Sequence, residues 1–162
     1  MYGRILVPLD GSERAELILE HVEPIARRFK SEIHLLQVIE PVPATLGLAD
    51  PLPPIEQSVL DREYKDARSY LLSIQNRLRK NGVTSHVHLH AGGVVESIVD
   101  VAAREDVDLV AMASHGRSGL PRFYYGSVAA GVLHRVDRPL LIIRSQSVLH
   151  QAAASDPEAD AS

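Results

Sequence analysis

The sequence predicts an α/β fold: a single open parallel sheet of five strands, with helices packed on both faces. Short apolar runs alternate strictly with stretches of helical periodicity, beginning and ending with a strand. Runs such as RILVPL (4–9) and LVAMA (109–113) are apolar on both faces. That composition is typical of parallel strands that are covered by helices on both sides.

The first half of the chain supplies two strands and two helices. RILVPL ends at the turn signal Asp10-Gly11-Ser12, and Ser12 is a candidate N-cap for the next helix. The inward face of that helix is predicted from three-and-four spacing: Ala15, Ile18, Val22, Ile25, Ala26 and Phe29. Pro24 is expected to kink or split it. The second strand is IHLLQVI (33–39).

Residues 41–54 hold five of the ten prolines and are predicted to form a loop, of a length often used for lids or partner binding. A long helix follows, with apolar positions from Ile55 to Leu78, Val59 among them, and a stop signal at Asn81-Gly82.

The second half supplies three strands and two shorter helices. Residues 83–90 alternate weakly and predict the third strand, and residues 107–113 predict the fourth. The helix between them is expected to bury Val95, Ile98, Val99 and Ala102, and the last helix Val128, Val132, Leu133 and Val136. LLIIR, after Arg138-Pro139, is the fifth strand. We expect one domain over residues 1–144 and a disordered acidic tail over 145–162.

Composition excludes several classes of function. A net charge of -4 lacks the basic balance of a general nucleic-acid binder, and zero cysteines exclude disulfides and thiol chemistry. No apolar run approaches the roughly eighteen residues that suggest a membrane span. We therefore expect a cytoplasmic protein without nucleic-acid or membrane partners.

The stretch from Val107 to Val128 suggests a phosphate site. An apolar strand stops at a glycine-bearing loop, and helical periodicity resumes after Gly126-Ser127. A helix start presents unpaired N–H groups and a partial positive charge to an anion. Gly116 and Gly126 lack a Cβ, so backbone can approach a phosphate closely, and the Ser127 hydroxyl can cap the helix or contact an oxygen.

In an open parallel sheet, ligands bind outside the carboxyl ends of the strands, where the strand order reverses. A 3-2-1-4-5 order would bring three such ends together. Asp10 follows the first strand, Val38 lies near the end of the second, and Ala113 ends the fourth. Asp10 could instead only cap its own turn. Arg117 is a candidate phosphate ligand, with simple solvation as the alternative, and Arg122 is a weaker candidate.

Two further groups of residues, a possible metal site and a possible hydrolase triad, are weaker candidates for a functional site. His86, His88 and His90 share one face of a strand, and His-x-His pairs can chelate a metal, but no acidic residue in that strand completes a set. The polar face of an edge strand is the favoured interpretation.

His115 with Asp10 and Ser12 or Ser118 resembles a hydrolase triad only in composition, because no G-x-S-x-G elbow is present. Dinucleotide and Walker fingerprints are also missing.

The chain resembles the universal stress protein family from about Arg4 to Arg144. ILVPLDGS resembles that family's first strand with its terminal aspartate. ASHGRSGLPRFYYGSV is similar to the pattern G-x2-G-x9-G-[S/T] of the ATP-binding branch. Ala113 stands where that pattern has its first glycine. If the position needs a positive φ, the methyl group strains the loop by roughly 1 kcal/mol; in ordinary β conformation it is harmless, and we expect the latter.

The resemblance implies an adenine nucleotide alpha hydrolase-like, Rossmann-like fold with strand order 3-2-1-4-5, and a bound adenine nucleotide. In that branch the strand-one aspartate reaches the sugar or a metal on the phosphates, a strand-two backbone meets the adenine, and the glycine loop wraps the phosphates. Carried onto this chain, the implied binding residues are Pro8, Leu9, Asp10, Val38, Met112, Ala113, His115, Gly116, Arg117, Gly119, Gly126, Ser127 and Val128. ATP, ADP or AMP is the implied ligand, and Mg²⁺ would reach Asp10 only through the nucleotide.

The resemblance also implies a homodimer through the last strand (138–144) and a stress-linked regulatory role. We expect a nucleotide-dependent switch with at most slow ATP hydrolysis, because neither a lysine nor an obvious general base accompanies the loop. Two alternatives stay open: an interaction module of the same fold that binds no nucleotide, for which Ala113 is the motive, and a weak phosphohydrolase centred on His115.

Overall fold

A computed structural model describes residues 2–40, 54–114 and 126–144, with side chains of the second helix described from Ser58 onward. Strands and helices alternate throughout, as predicted. The strands are β1 (Arg4–Pro8), β2 (Glu32–Ile39), β3 (Ser85–Ala91), β4 (Leu109–Ala113) and β5 (Leu140–Ile143). The helices are α1 (Glu13–Phe29), α2 (Pro54–Lys80), α3 (Val94–Arg104) and α4 (Ser127–Arg135).

The five strands form one sheet in the order β3-β2-β1-β4-β5, and every pairing is parallel. The predicted fold class and strand order are confirmed. The amino ends of β1 and β4 are joined by Asp108, whose carboxylate accepts the backbone N–H groups of Gly3 at 2.7 Å and Arg4 at 2.9 Å. These two bonds lower the pKa of Asp108.

Each face of the sheet carries its own hydrophobic cluster. On one face, α1 and α2 pack over the sheet through Ile18, Val22, Leu71 and Ile74. On the other face, α3 and α4 pack through Ile98, Val101, Ala129 and Val132. β1 contributes alternate residues to the two clusters, as a strand buried on both faces must.

Helix α1 begins and ends at residues with distinct backbone roles. Ser12 is its N-cap, as predicted, and the hydroxyl accepts the N–H of Ala15 at 3.2 Å. Pro24 is predicted to kink or split this helix, but α1 runs unbroken to Phe29, so the split is wrong. Pro24 is exposed, and so is Glu20, the residue whose carbonyl loses its helical hydrogen bond because proline has no N–H. Lys30 ends the helix in the left-handed region at φ 57°.

Three apolar residues expected to face inward are exposed instead: Phe29 (45%), Val59 (46%) and Leu133 (52%). Phe29 is the last residue of α1, and its ring contacts Tyr2 edge-on. Val101, which the pattern did not single out, is fully buried in α3. Pro54, expected in the proline-rich loop, is the first residue of α2, where its missing N–H costs no helical bond.

Helices α3 and α4 pack closely at Gly131. A Cβ added to Gly131 would lie 2.8 Å from Cγ2 of Val95. Arg135 of α4 also forms an ion pair with Glu96 of α3. Glycine at this position therefore sets how near α4 approaches α3. Among the described segments, no helix combines the length and apolar character that a membrane crossing needs.

Candidate functional site

The candidate site lies at the carboxyl edge of the sheet, where β1 and β4 end. These two strands are neighbours, paired through Ile5 with Leu109 and Leu6 with Val110. Because they are parallel, their carboxyl ends share one edge. To either side lie strands reached by crossovers in opposite directions, which makes this edge the switch point of the sheet.

Asp10 is held at the end of β1 by the turn that follows it. Its Oδ1 accepts two hydrogen bonds from Ser12, from the backbone N–H at 3.0 Å and from the hydroxyl at 2.6 Å. Gly11 between them adopts φ 81°, a conformation natural to glycine. The same Ser12 hydroxyl caps α1, so one turn both orients the Asp10 carboxylate and starts the helix.

Ala113 occupies an unstrained position. It is the last residue of β4, pairs with Ile143, and is not among the described residues with positive φ. Its methyl group is buried, with 8% of the residue exposed. The alanine that replaces the first glycine of the pattern therefore carries no backbone strain. Met112 beside it is also buried, on the α3 and α4 face.

The two ends of the glycine loop meet at one hydrogen bond. The backbone N–H of Gly126 donates to the carbonyl of Ser114 at 2.9 Å, and the N–H of Ser114 donates to the carbonyl of Ile143 at 2.8 Å. No described side chain caps α4, whose preceding residue Gly126 has extended ψ 155°. The first amides of α4, from Ser127 onward, thus begin beside the end of β4.

Ser127 is exposed and Val128 half-buried against the α3 and α4 cluster. His115, Gly116, Arg117 and Gly119 lie outside the described residues, as do Arg122 and Ser118, the serine considered with His115 for a triad. Ser114 was not singled out from the sequence. Its place directly after a buried strand was the available signal, but its bond depends on where the chain returns at Gly126.

The backbone of Val38 faces the end of β1. Successive residues of a parallel strand direct their backbone groups to opposite neighbours. In β2 the even-numbered residues bond on the β1 side: Glu32 donates to Gly3, and Leu36 accepts from Leu9 at 2.8 Å. That last bond is the final one the described residues show between β1 and β2. The N–H and C=O of Val38 therefore point past the end of β1, towards the switch point.

The three histidines of β3 lie on an edge strand, as predicted, although β3 itself supplies no acidic partner. The acidic side chains come from neighbouring elements. Nε2 of His86 lies 3.2 Å from Glu32 Oε2 of β2, and Nδ1 of His88 lies 3.9 Å from Glu105 Oε1 at the end of α3. His90 faces Arg104 instead, at 3.2 Å.

Comparison with known proteins places the whole fold in one family. A model described as the universal stress protein family matches residues 1–144. Universal stress protein MJ0577 of Methanocaldococcus jannaschii is 28% identical over 158 residues, covering 91% of this chain and 98% of that protein. The solved structure of MJ0577 matches with a TM-score of 0.81 at 28% identity, covering 91% of this chain and 99% of that chain.

Two more distant structures share the fold and were solved with adenine nucleotides. The universal stress protein from Archaeoglobus fulgidus in complex with dAMP is 20% identical, with a TM-score of 0.60, covering 87% of this chain and 97% of its own. A universal stress protein family protein from Arabidopsis thaliana with AMP bound is 17% identical, with a TM-score of 0.64, covering 95% and 97%. The family model, the relatives and the strand order agree, and the chain belongs to the universal stress protein family.

Proposed function

We propose that this chain is a cytoplasmic adenine-nucleotide-binding protein that takes ATP, ADP or AMP at the switch point and uses occupancy to set its shape or its partners. The observation that carries the proposal is the Ser114–Gly126 hydrogen bond, which closes the glycine loop beside Asp10 and the start of α4. AMP and dAMP bound by family members of the same fold support the ligand class.

The start of α4 would bind the phosphates. The first amides of a helix lack intrahelical partners and carry partial positive charge, so they stabilise an anion. The helix begins at Ser127, and no side chain of the described residues caps it. Gly126, without a Cβ, lets a phosphate oxygen approach the backbone, and the exposed Ser127 hydroxyl can donate to another oxygen.

The backbone of Val38 would recognise the base. Its N–H and C=O point past β1 and offer one donor and one acceptor side by side. The adenine edge presents the complementary pair, the ring nitrogen N1 and the exocyclic N6 amine. Backbone recognition of this kind selects adenine over guanine, whose corresponding edge has donor and acceptor reversed.

Asp10 would face the ribose or a Mg²⁺ ion carried by the phosphates. The carboxylate fits that role because Ser12 fixes it at the end of β1, and hard cations prefer carboxylate and phosphate oxygens. When bound, Mg²⁺ supplies charge neutralisation of the phosphates. No lysine follows Lys80 in the sequence, so none can come from the glycine loop or from α4, which supports slow hydrolysis at most.

The ligand can be identified without assuming it. Mass spectrometry of small molecules released by denaturing the purified protein should reveal an adenine nucleotide. Calorimetric titration with ATP, ADP and AMP, with and without MgCl₂, should give one nucleotide per chain. Asp10→Ala should weaken Mg-ATP binding about tenfold or more, whereas Asp61→Ala on the exposed side of α2 should not. Absence of binding at millimolar nucleotide would refute the proposal.

The alternative is an interaction module of the same fold that binds no nucleotide. Ala113 no longer favours it, because this residue has an ordinary strand conformation. A phosphohydrolase would depend on His115, outside the described residues, and His115→Ala would abolish any measured ATPase rate only if that alternative holds.

We further propose that the protein is a homodimer through residues 138–144. β5 is a sheet edge, and its four apolar residues, Leu140–Ile143, are each half-buried in the single chain. An apolar edge strand favours pairing with a second copy. Light scattering should give twice the chain mass of 17.8 kDa; a single-chain mass at micromolar concentration would contradict this.

A further inference from the structure

A histidine-rich cluster lies at the amino ends of β2 and β3, away from the nucleotide crevice. His34 of β2 pairs in register with His86 of β3, and His88 follows on the same face of the sheet. His34 precedes Val38 by four residues on the same strand, so the two are separated by roughly 13 Å along it. We name the set Glu32, His34, His86, His88 and Glu105 the histidine cluster.

Glu32 and His86 lie close enough to bind the same metal ion. Nε2 of His86 and Oε2 of Glu32 are 3.2 Å apart, and both side chains are about half exposed. One ligand atom from each of Glu32, His34 and His86 lies within 4.8 Å of the others. Zinc bonds of 2.0–2.1 Å in a tetrahedron place ligand atoms about 3.3 Å apart. The exposed Glu32 and His86 need only small side-chain rotations to meet that spacing.

His34 supplies the independent reason to expect a ligand. It is 4% exposed, and its Nδ1 lies 3.0 Å from Nε2 of His88. Its other nitrogen, Nε2, is buried and has no hydrogen-bond partner among the described residues. Buried polar atoms are nearly always paired, because leaving one unpaired is unfavourable. A metal ion on Nε2 would supply the missing partner.

We propose that Glu32, His34 and His86 bind one divalent transition-metal ion, of which zinc is the best match, with solvent completing the coordination. Two neutral imidazoles and a carboxylate suit zinc, whereas magnesium and calcium prefer sites built from oxygen ligands alone, so the two imidazoles disfavour those ions. The site shares no residue with the nucleotide crevice.

His88 and Glu105 would orient His34 rather than bind the ion. If Nδ1–H of His34 donates to Nε2 of His88, then Nδ1–H of His88 faces Glu105 at 3.9 Å. Arg104 holds that carboxylate through Nε at 3.0 Å. In that tautomer Nε2 of His34 is unprotonated and can bind a metal, while His88 and Glu105 orient the imidazole as outer partners of metal-ligating histidines do. Burial also lowers the pKa of His34 to about 4, so the imidazole is neutral at pH 7.

The test is calorimetric titration of the nucleotide-free full chain with ZnCl₂, repeated with CoCl₂ to read the coordination from the visible spectrum. We expect one saturable site per chain and a tetrahedral cobalt spectrum. His86→Ala and Glu32→Gln should each weaken zinc binding at least tenfold and leave ATP affinity unchanged. His90→Ala is the matched control, a histidine of the same strand and face outside the cluster, and should bind like the parent.

His88→Ala and Glu105→Gln should weaken zinc binding less than His86→Ala does. His34→Gln tests the buried ligand, with its circular dichroism spectrum confirming that it folds. Zinc binding that is absent, or equal in the parent and His86→Ala, would overturn the proposal. Loss in His88→Ala with none in His86→Ala would overturn it too, because the ion would then lie between His34, His88 and Glu105.

Discussion

Gly126 and Ser114 are joined by a backbone hydrogen bond of 2.9 Å, although a full glycine-bearing loop separates them in sequence. Ser114 directly follows β4, and Gly126 directly precedes α4. The bond therefore ties the start of a helix to the end of a strand. The amide-rich helix start thereby keeps its position at the switch point of the sheet.

A bulkier residue at Gly126 should impair nucleotide binding more than it impairs folding. Gly126 has φ -56° and ψ 155°, which other residues also adopt, so Gly126→Val can fold. The added side chain would stand where a phosphate must approach, and we expect ATP affinity to fall at least tenfold in calorimetric titration. Ala130→Val, one turn further along α4, is the control. Equal ATP affinity in all three proteins would contradict this role.

Because Gly131 and Val95 are in contact, the effect of Gly131→Ala on the unfolding free energy should change sign when Val95 is replaced by alanine. In the parent, Gly131→Ala places a methyl group 2.8 Å from Val95 Cγ2, and we expect a loss of about 1 kcal/mol in unfolding free energy. In the Val95→Ala background the methyl group has room, so higher helix propensity should make the same change stabilising by about 0.5 kcal/mol. Urea denaturation measures both. The same effect in both backgrounds would show that the helices do not meet there.

Lys30 ends α1 in the left-handed region, which favours glycine over residues with a Cβ. Lys30→Gly should therefore be more stable than Lys30→Ala by about 0.5 kcal/mol or more. Comparing these two variants cancels the lost lysine charge. Urea midpoints give the difference, and alanine matching glycine would mean that the left-handed turn is not maintained in solution.

Stability should fall on acidification because of His34. Burial lowers its pKa from 6.5 to about 4, aided by the charges of His88 and His86 and opposed by those of Glu105 and Glu32. The unfolded chain therefore binds the proton more readily, and the stabilisation is complete above pH 6.5 and is lost as the pH falls towards 4. Without metal, His34→Gln should remove part of this loss, on the order of 2 kcal/mol between pH 7.5 and 4.5. Urea denaturation at several pH values would contradict the assignment if parent and variant curves were parallel.

The sheet could be predicted because its signals are local. Apolar runs and helical periodicity fix the order of elements, and the resemblance implied the strand order. Burial at helix edges was harder to predict. Leu133 has the spacing of an inward residue, yet α4 has only nine residues and buries Ala129 and Val132 instead. Pro24 is tolerated within α1 because it lies on the exposed side of the helix. Helical periodicity alone does not indicate whether a proline in that position will interrupt the helix.

The contacts of the two sites depend on tertiary placement. Strand register brings Glu32 and His34 beside His86, and the end of α3 brings Glu105 beside His88. Neither pairing can be predicted from spacing within β3, because the acidic partners come from β2 and from the end of α3. The Ser114 bond likewise requires the chain to return after the loop. Sequence patterns indicated the candidate phosphate-binding loop, whereas the geometry of its two ends had to come from the structure.

The most direct test of nucleotide binding at the switch point is a titration of the ¹⁵N-labelled protein with AMP, followed by amide chemical shifts. We predict saturable shifts at Asp10, Val38, Ser127 and Val128, and smaller changes at His34 and His86. Shifts confined to other surfaces, or none at millimolar AMP, would contradict the account.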